Sequence, residues 1–419
     1  MSGLTLSPAV RELARQAEAS LTEVFRRIDD TAQQNMEKML EAFQHYRVSA
    51  VHLTGTTGYG YDDRGRDDLD KIFARVFGAE AALVRMQFVN GTHALACCMF
   101  GVLRPGDVLL SAMGAPYDTL QTAIGIAGSA SGSLKDFGIG YRQVEPRDNA
   151  PDLEAIRQAA ADPAVRMVWI QRSRGYSTRP ALSVAAIGAI ADAVHAVNSR
   201  AVVMVDNCYG EFVDTLEPTQ VGADLMAGSL IKNPGGGLAP AGGYIAGRQA
   251  LVDQCAARLT TPGIGGEVGA SLDVNRLLYQ GFFTAPHTVA QALKTAVFCA
   301  RLMELVGIPH APGAEEARSD IVQTVSFGSP EGLERFCRGI QLGAPVDSYV
   351  TPEAWDMPGY DDPVIMAAGA FVQGASIELS CDGPMRLPYV AYLQGGLTWE
   401  SGRLGILLAV DALLKEEKT

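Results

Sequence analysis

The chain has 419 residues, of which 47% are hydrophobic and 19% are charged, and it contains 45 Gly and 21 Pro. This composition excludes disordered, collagen-like, coiled-coil and low-complexity proteins and indicates a large globular α/β protein. The 47 Asp and Glu residues outnumber the 34 Lys and Arg residues, and the formal charge of -13 is the wrong sign for a protein that coats nucleic acid or anionic lipid.

Further composition signals concern location, redox state and metals. The first residues lack a basic segment followed by an apolar run, and no run of about 18 apolar residues occurs, so we expect a cytoplasmic protein that does not enter a membrane. Seven cysteines without a Cys-x-x-Cys pair predict reduced thiols and no disulfide framework. Six histidines without metal-ligand spacing predict that there is no metal site.

Hydrophobic patterns divide the chain into three parts. Ser7-Pro8, followed by apolar residues at helical spacing, predicts an N-terminal helical arm over residues 1–50. Over residues 51–290, short apolar runs alternate with helical segments, which is typical of a large domain with a mainly parallel sheet covered on both faces. A long helix from Pro286 to Val306 leads into residues 291–419, where we expect a smaller α/β domain. The runs predicted as strands are Ala82–Val84, Val108–Leu110, Val168–Ile170, Val202–Val205 and Gly243–Ile245.

An acid and a lysine carry the strongest chemical signal. One predicted strand ends in Asp206, and Lys232 follows in the glycine-rich segment Gly228–Gly237. Pyridoxal phosphate requires such a pair, because a lysine amine forms the Schiff base and a carboxylate keeps the pyridine nitrogen protonated. On this pair alone, a helix-capping Asp and a surface Lys would be an equally good interpretation.

Other residues point to the same cofactor. Gly91, Thr92 and His93 begin a predicted helix, whose N–H groups would bind a phosphate, and Ser229 would add a hydroxyl. Tyr117 follows a strand and a turn, where its ring could stack on a planar cofactor. A plain helix start and a half-buried turn tyrosine are the alternatives. The order of phosphate loop, aromatic residue, strand-end Asp and Ser-x-x-Lys favours the cofactor site.

These segments resemble the pyridoxal-phosphate-dependent enzymes of the cystathionine and methionine lyase group, most closely the aluminium-resistance or methionine gamma-lyase-like family. The resemblance implies the aminotransferase-like fold (fold type I), with a large sheet domain and a small C-terminal α/β domain. It also implies a homodimer with active sites at the subunit interface, often paired into a tetramer. The matching segments are Thr56–Asp63, Asn90–His93, Gly114–Thr119, Gln171–Tyr176, Val205–Asn207, Ser229–Gly237 and Asp382–Pro384.

The resemblance also assigns roles to individual residues. Lys232 would be the Schiff-base lysine, Asp206 the partner of the pyridine nitrogen and Tyr117 the stacking ring. The wider group has Thr directly before the lysine, whereas this chain has Ile231, so one phosphate hydroxyl must come from elsewhere. The residues implied at the phosphate are Gly91, Thr92, His93 and Ser229, with Tyr59 or Tyr61 and Arg64 reaching over from the neighbouring subunit.

An amino-acid substrate needs its carboxylate fixed, and a forked arginine is the usual group. Arg386 is the first candidate, because the small domain supplies that arginine in this fold. Arg172 and Arg174, after the predicted strand Val168–Ile170, are the second candidates. A structural ion pair is the alternative for each arginine.

The resemblance implies a carbon–sulfur lyase that removes a β- or γ-substituent from an amino acid. Lys232 would remove the Cα proton, and Lys232 or Tyr117 would remove a second proton in a γ-elimination. The products would be a 2-oxo acid, ammonia and a thiol.

Other functions fit the same residues. Two of them are γ-replacement and transamination. A third is a biosynthetic γ-elimination on a halogenated or unsaturated amino acid, which would give, for example, an alkynyl amino acid. A fourth is a non-enzymatic role as a cofactor-binding regulator. Asn90 and Thr178 stand where the close family has Ser and an aromatic residue, which indicates either a changed pocket or drift.

Overall fold

The computed structural model describes residues 6–357 and 362–415. Within these ranges, no helix combines the length and the apolar character that crossing a membrane requires. The α-helices are α1 Pro8–Ser20, α2 Thr22–His45, α3 Arg64–Val76, α4 Gly91–Val102, α5 Asp118–Ile124, α6 Leu153–Ala160, α7 Val184–His195, α8 Gln249–Leu259, α9 Asn275–Val306, α10 Pro330–Leu342 and α11 Trp399–Leu414. The strands are β1 Ala81–Arg85, β2 Val108–Ser111, β3 Gly140–Gln143, β4 Val165–Gln171, β5 Val202–Asp206, β6 Leu225–Ser229, β7 Gly243–Gly247, β8 His310–Ala311, β9 Gln323–Ser326, β10 Val364–Ala368, β11 Ser380–Pro384 and β12 Val390–Gln394.

Seven strands form the large sheet in the order β1-β7-β6-β5-β4-β2-β3. Strands β6, β5, β4, β2 and β3 run parallel, and β7 is antiparallel to both β6 and β1. Strand β5 shows why such a strand is apolar throughout: Val203 and Val205 belong to one hydrophobic core, while Val202 and Met204 belong to the core on the other face. The predicted mainly parallel sheet with two covered faces is therefore confirmed.

The N-terminal helices pack on the rest of the chain. Ser7 caps α1 by accepting a hydrogen bond from the Val10 N–H at 3.4 Å, and Pro8 occupies the first turn, as the sequence predicts. The Ser7 N–H in turn donates to Asp411 of α11 at 3.1 Å. This bond joins the predicted arm to the C-terminal part of the chain.

Five strands form a second, antiparallel sheet in the order β10-β11-β12-β9-β8. Helices α1, α10 and α11 supply much of the core on this sheet.

Helix α9 connects the two sheets. Phe282 in its first half packs in the large-sheet core, and Phe298 in its second half packs in the small-sheet core. The helix begins at Asn275 and contains Pro286, so the predicted start at Pro286 is wrong. Burial of Tyr279 and Phe282 stabilises the extra turns despite the proline. The boundary placed at residue 290 lies inside this shared helix, and the division into domains stays a prediction.

Candidate active site

A cavity of about 680 Å³ opens where the parallel strands of the large sheet end. Gln171, Asp206 and Ser229, the last residues of β4, β5 and β6, all line it. Asp382 of β11 and Arg386, in the segment between β11 and β12, line the same cavity from the side of the small sheet. In open α/β sheets the carboxyl ends of the strands are the usual place for a ligand, and this cavity occupies that place.

The predicted lysine and acid meet in this cavity. Asp206 is 5% exposed, and its Oδ1 accepts a hydrogen bond from the Cys208 N–H at 3.1 Å. The Lys232 Nζ lies 4.0 Å from the centre of the Tyr209 ring. Tyr209 has a φ of +73°, a left-handed conformation that costs a bulky residue free energy and occurs preferentially at functional sites.

The charges of this pair depend on each other. Burial raises the pKa of the Asp206 carboxyl, and the Lys232 ammonium opposes that rise. Burial by itself lowers the pKa of Lys232, but the negative charges that Cys208, Tyr209, Asp206 and Tyr117 carry when they are ionised raise it, and the net direction is upward. Burial also raises the pKa of the Cys208 thiol, which leaves Cys208 as a neutral part of the cavity wall.

The first turn of α4 forms one end of the cavity. Gly91 and Thr92 line it, and a Cβ on Gly91 would lie 3.1 Å from the Ser229 Cβ, so a side chain there would crowd the end of β6. The start of α4 and Ser229 therefore lie side by side, and the N–H groups of a helix start together with a hydroxyl are groups that can hold a phosphate.

His93 does not join this group. Its backbone N–H donates to the Asn90 side chain at 2.8 Å, and its ring Nδ1 accepts from the Val89 N–H at 3.2 Å. The prediction that His93 offers its N–H to a phosphate is wrong, because the helix cap already uses that group. Asn at the residue before the helix is a common cap, and this preference could have revealed it from the sequence.

Tyr117 is held by one hydrogen bond at its backbone and one at its side-chain hydroxyl. Its N–H donates to the Gln171 Oε1 at 2.9 Å, and its hydroxyl is 2.9 Å from the Thr92 Oγ1. The ring lines the cavity beside the start of α4, where the resemblance expects a stacking ring. Burial raises the pKa of the Tyr117 hydroxyl, so the group keeps its proton at neutral pH.

Arg172 lies away from the cavity. Its side chain is fully buried, its Nη1 donates to the Asn207 Oδ1 at 2.8 Å, and the same nitrogen is 3.5 Å from Glu217. The prediction that Arg172 binds substrate is therefore wrong. The guanidinium compensates the buried Glu217 carboxylate, which is the structural ion pair that the sequence left open.

The other two candidate arginines do line the cavity. Arg174 is 4% exposed, and its Nη1 lies 3.4 Å from the Thr324 Oγ1. The Arg386 side chain is 46% exposed and pairs with Asp362 at 3.0 Å. The charge of Arg386 is therefore compensated by a carboxylate, whereas the Thr324 group that Arg174 contacts is a neutral hydroxyl.

Sequence reasoning missed an acid in the cavity wall. Asp382 of β11 accepts hydrogen bonds from the Tyr176 hydroxyl and, at 2.8 Å, from the Gln394 Nε2. Burial raises the pKa of the Asp382 carboxyl to about 6. The segment Asp382–Pro384 contributed to the resemblance, but no local pattern indicated that its acid would face the cofactor lysine.

Tyr59, Tyr61 and Arg64 do not line the cavity of their own chain. The two tyrosine rings stack with centres 5.5 Å apart and are 70% and 63% exposed, and Arg64 pairs with Asp68 at 3.7 Å on α3. Their expected role in the site of a neighbouring subunit stays a prediction.

The residues in the cavity fit pyridoxal phosphate. A half-buried lysine and a buried strand-end carboxylate line it together, an aromatic ring stands beside them, and a helix start without a side chain at Gly91 closes one end. Together with the mainly parallel sheet, these features define a fold type I pyridoxal-phosphate enzyme.

Comparison with known proteins agrees with this class. The model of the methionine gamma-lyase family matches residues 10–414, so the chain belongs to that family. The protein YnbB of Bacillus subtilis (strain 168) is 49% identical over 416 residues, which cover 99% of each chain. An L-methionine gamma-lyase of Pseudomonas putida is 27% identical over 289 residues, covering 67% of this chain and 66% of the relative.

A solved structure shows the same fold throughout. The carbon–sulfur lyase involved in aluminium resistance from Clostridium novyi NT superposes with a TM-score of 0.94 at 50% sequence identity, covering 98% of this chain and 97% of the other. The predicted family, fold class and pyridoxal phosphate cofactor are thereby confirmed. The chain is a pyridoxal-phosphate-dependent lyase of the carbon–sulfur class.

Proposed function

We propose that the enzyme eliminates a sulfur leaving group from the β- or γ-carbon of an amino acid and releases a thiol, ammonia and a 2-oxo acid. The observation that carries this proposal is the placement of Lys232, Asp206 and Tyr117 around one cavity at the carboxyl edge of the sheet. Membership of the methionine gamma-lyase family supports the sulfur leaving group.

Each residue of the cavity has a defined task toward the cofactor. Lys232 would attach it covalently, Asp206 would accept a hydrogen bond from its ring nitrogen, and Tyr117 would contribute its ring as a stacking partner. Gly91, Thr92 and Ser229 would bind its phosphate, and we propose that Tyr59 or Tyr61 and Arg64 of a second subunit would complete that site. When bound, pyridoxal phosphate supplies a protonated ring that takes up the electrons of the broken Cα–H bond.

Proton transfer falls to two side chains. The amine of Lys232 would accept the Cα proton of the substrate. Tyr117 retains its proton at neutral pH because burial raises the pKa of its hydroxyl, so we assign it to protonate the leaving sulfur. Thr92, in contact with the Tyr117 hydroxyl at 2.9 Å, holds that hydroxyl in place.

The test combines absorption spectroscopy with product assays on the purified holoenzyme. Cystathionine, methionine, homocysteine, cysteine and γ-halogenated analogues are added singly, and 2-oxo acid and thiol are measured. We expect at least one sulfur amino acid to release both products, and Lys232→Ala to abolish the covalent attachment and to lower the rate by at least ~10³-fold. Lys135→Ala, which removes an exposed lysine, should leave both unchanged.

Two results would contradict the proposal. Turnover that survives Lys232→Ala would exclude the assigned chemistry. An amino group that remains on the cofactor after turnover, and then passes to an added keto acid, would identify an aminotransferase.

A further inference from the structure

The wall of the cavity beside β4 carries an excess of buried positive charge. Arg174 and Arg179 are 4% and 7% exposed, and the Nε and Nη1 atoms of Arg318 are buried without a hydrogen-bond partner among the described residues. One buried acid, Asp320, lies near them, and its oxygens already accept from the Ser173 hydroxyl at 2.7 Å and the Val322 N–H at 3.0 Å. Within residues 6–357 and 362–415, none of these three arginines is ion-paired with a carboxylate.

Electrostatics show that this charge is incompletely compensated. Burial lowers the pKa of Arg179 to about 10 and that of Arg318 to about 10. Asp320 opposes both shifts, and the nearby charge of Arg174 adds to them. Apart from the exposed Glu316 near Arg318, the three guanidinium groups thus share one carboxylate, Asp320, at more than ion-pair distance, which is unfavourable in a buried place unless another anion arrives.

The three arginines differ in what they can still bind. Arg179 donates from Nη2 to the carbonyls of Gln171 and Ser173 at 2.8 Å and 2.7 Å, and from Nη1 to the Pro180 carbonyl at 3.0 Å, so it supports the loop. Arg318 does not line the cavity. Arg174 does line it, its contact with Thr324 is long at 3.4 Å, and its buried Nε has no partner among the described residues.

Arg386, which also lines the cavity, offers a direct contrast. Its side chain is 46% exposed and already pairs with Asp362 at 3.0 Å. A carboxylate that binds Arg386 would compete with both water and that aspartate, whereas one that binds Arg174 meets a desolvated fork with free donors. Charge-assisted hydrogen bonds to a buried guanidinium are the stronger kind.

We propose that Arg174, and not Arg386, binds the α-carboxylate of the amino-acid substrate. This inference rests on the proposed function, because it assumes that an amino acid enters the cavity next to Lys232. It makes Arg174 the residue that distinguishes amino acids from amines and amides.

The test measures binding without turnover. L-norleucine, which has the length of methionine but no leaving group, and its amide L-norleucinamide are titrated into the holoenzyme, and dissociation constants are read from the change in visible absorption. The variants are Arg174→Gln and, as the matched control, Arg386→Gln. The amines of the two ligands differ in basicity, but this difference is the same for every variant and cancels when acid-to-amide ratios are compared.

We expect Arg174→Gln to weaken L-norleucine binding by ~10- to 150-fold, the size of one or two charge-assisted hydrogen bonds, and to change amide binding by less than about twofold. Arg386→Gln should keep the acid-to-amide preference of the wild type. Arg174→Lys, which retains the charge but loses the fork, should fall between them. If Arg174→Gln does not fold, as judged by circular dichroism, Arg174→Lys decides.

Each opposite result is distinguishable. Loss of the preference in Arg386→Gln but not in Arg174→Gln, or in neither variant, overturns the role of Arg174 and leaves the proposed function standing. A wild-type enzyme whose absorption responds to neither ligand nor to the sulfur amino acids overturns both.

Discussion

Replacing Glu211 by Gln should stabilise the protein at neutral and alkaline pH. Glu211 is fully buried, its Oε1 accepts a hydrogen bond from the Tyr244 hydroxyl at 2.8 Å, and its Oε2 has no partner among the described residues. Burial raises the pKa of this carboxyl from 4.5 to about 8. At pH 7 the folded protein therefore holds a neutral carboxylic acid here, and an amide of the same shape reproduces it.

The sign of the pH dependence follows from the raised pKa. The folded protein retains a proton that the unfolded chain releases above pH 4.5, so the stabilisation by this group is complete below that pH and is lost as the pH rises to about 8. One pH unit in this window corresponds to about 1.4 kcal/mol. The free energy of unfolding of the wild type should thus fall by about 4 kcal/mol relative to Glu211→Gln between pH 5 and pH 8.

The assay is equilibrium unfolding in urea at pH 5, 6, 7 and 8, with saturating cofactor throughout. An unpaired amide N–H in the variant costs about 1 kcal/mol at every pH and does not alter the slope. Glu353→Gln, at an exposed position, serves as the control and should follow the wild type. Parallel profiles for the wild type and Glu211→Gln would refute a neutral, buried Glu211.

Two further substitutions test the structural assignments. Arg172→Met should lower the free energy of unfolding by about 3–5 kcal/mol, because it removes the ion-pair partner of the buried Glu217. The KM of the folded enzyme should stay within about twofold. A large rise in KM without loss of stability would show that Arg172 binds substrate after all. Gly236→Ala should lower the free energy of unfolding by about 1–3 kcal/mol more than Gly265→Ala in the same urea assay. The two glycines have similar φ angles, +55° and +59°, but only a Cβ at position 236 would meet the Gly281 carbonyl, at 2.3 Å. Equal losses would show that this contact does not matter.

The elements that the sequence predicts are those whose apolar residues face two cores at once. All five apolar runs assigned to strands lie within observed strands, because a strand buried on both faces has an uninterrupted apolar run. The sequence did not predict strand β6. It contains Gly228, where a Cβ would lie 2.6 Å from the Glu211 Oε1, so the packing beneath the strand requires a residue that weakens its sequence signal.

The residues of the candidate site also include some that could be predicted from the sequence and some that could not. Asp206 was predictable because it ends an apolar strand, and Ser229 and Lys232 were predictable because they form a Ser-x-x-Lys pattern in the glycine-rich segment that follows. The place of Asp382 was not, because it depends on how the antiparallel sheet docks against the large one. Among the glycines after Lys232, Gly236 permits close backbone approach to the Gly281 carbonyl of α9.

Arg172 and Arg174 show what local sequence leaves open. They stand two residues apart after the same strand, and nothing in Gln171–Tyr176 separates a supporting arginine from a binding one. The separation comes from distant partners: Glu217 and Asn207 contact the guanidinium of Arg172, while among the described residues the guanidinium of Arg174 has only a long contact with Thr324. A buried arginine with a carboxylate partner stabilises the fold, and one without such a partner, facing a cavity, is ready for an anionic ligand.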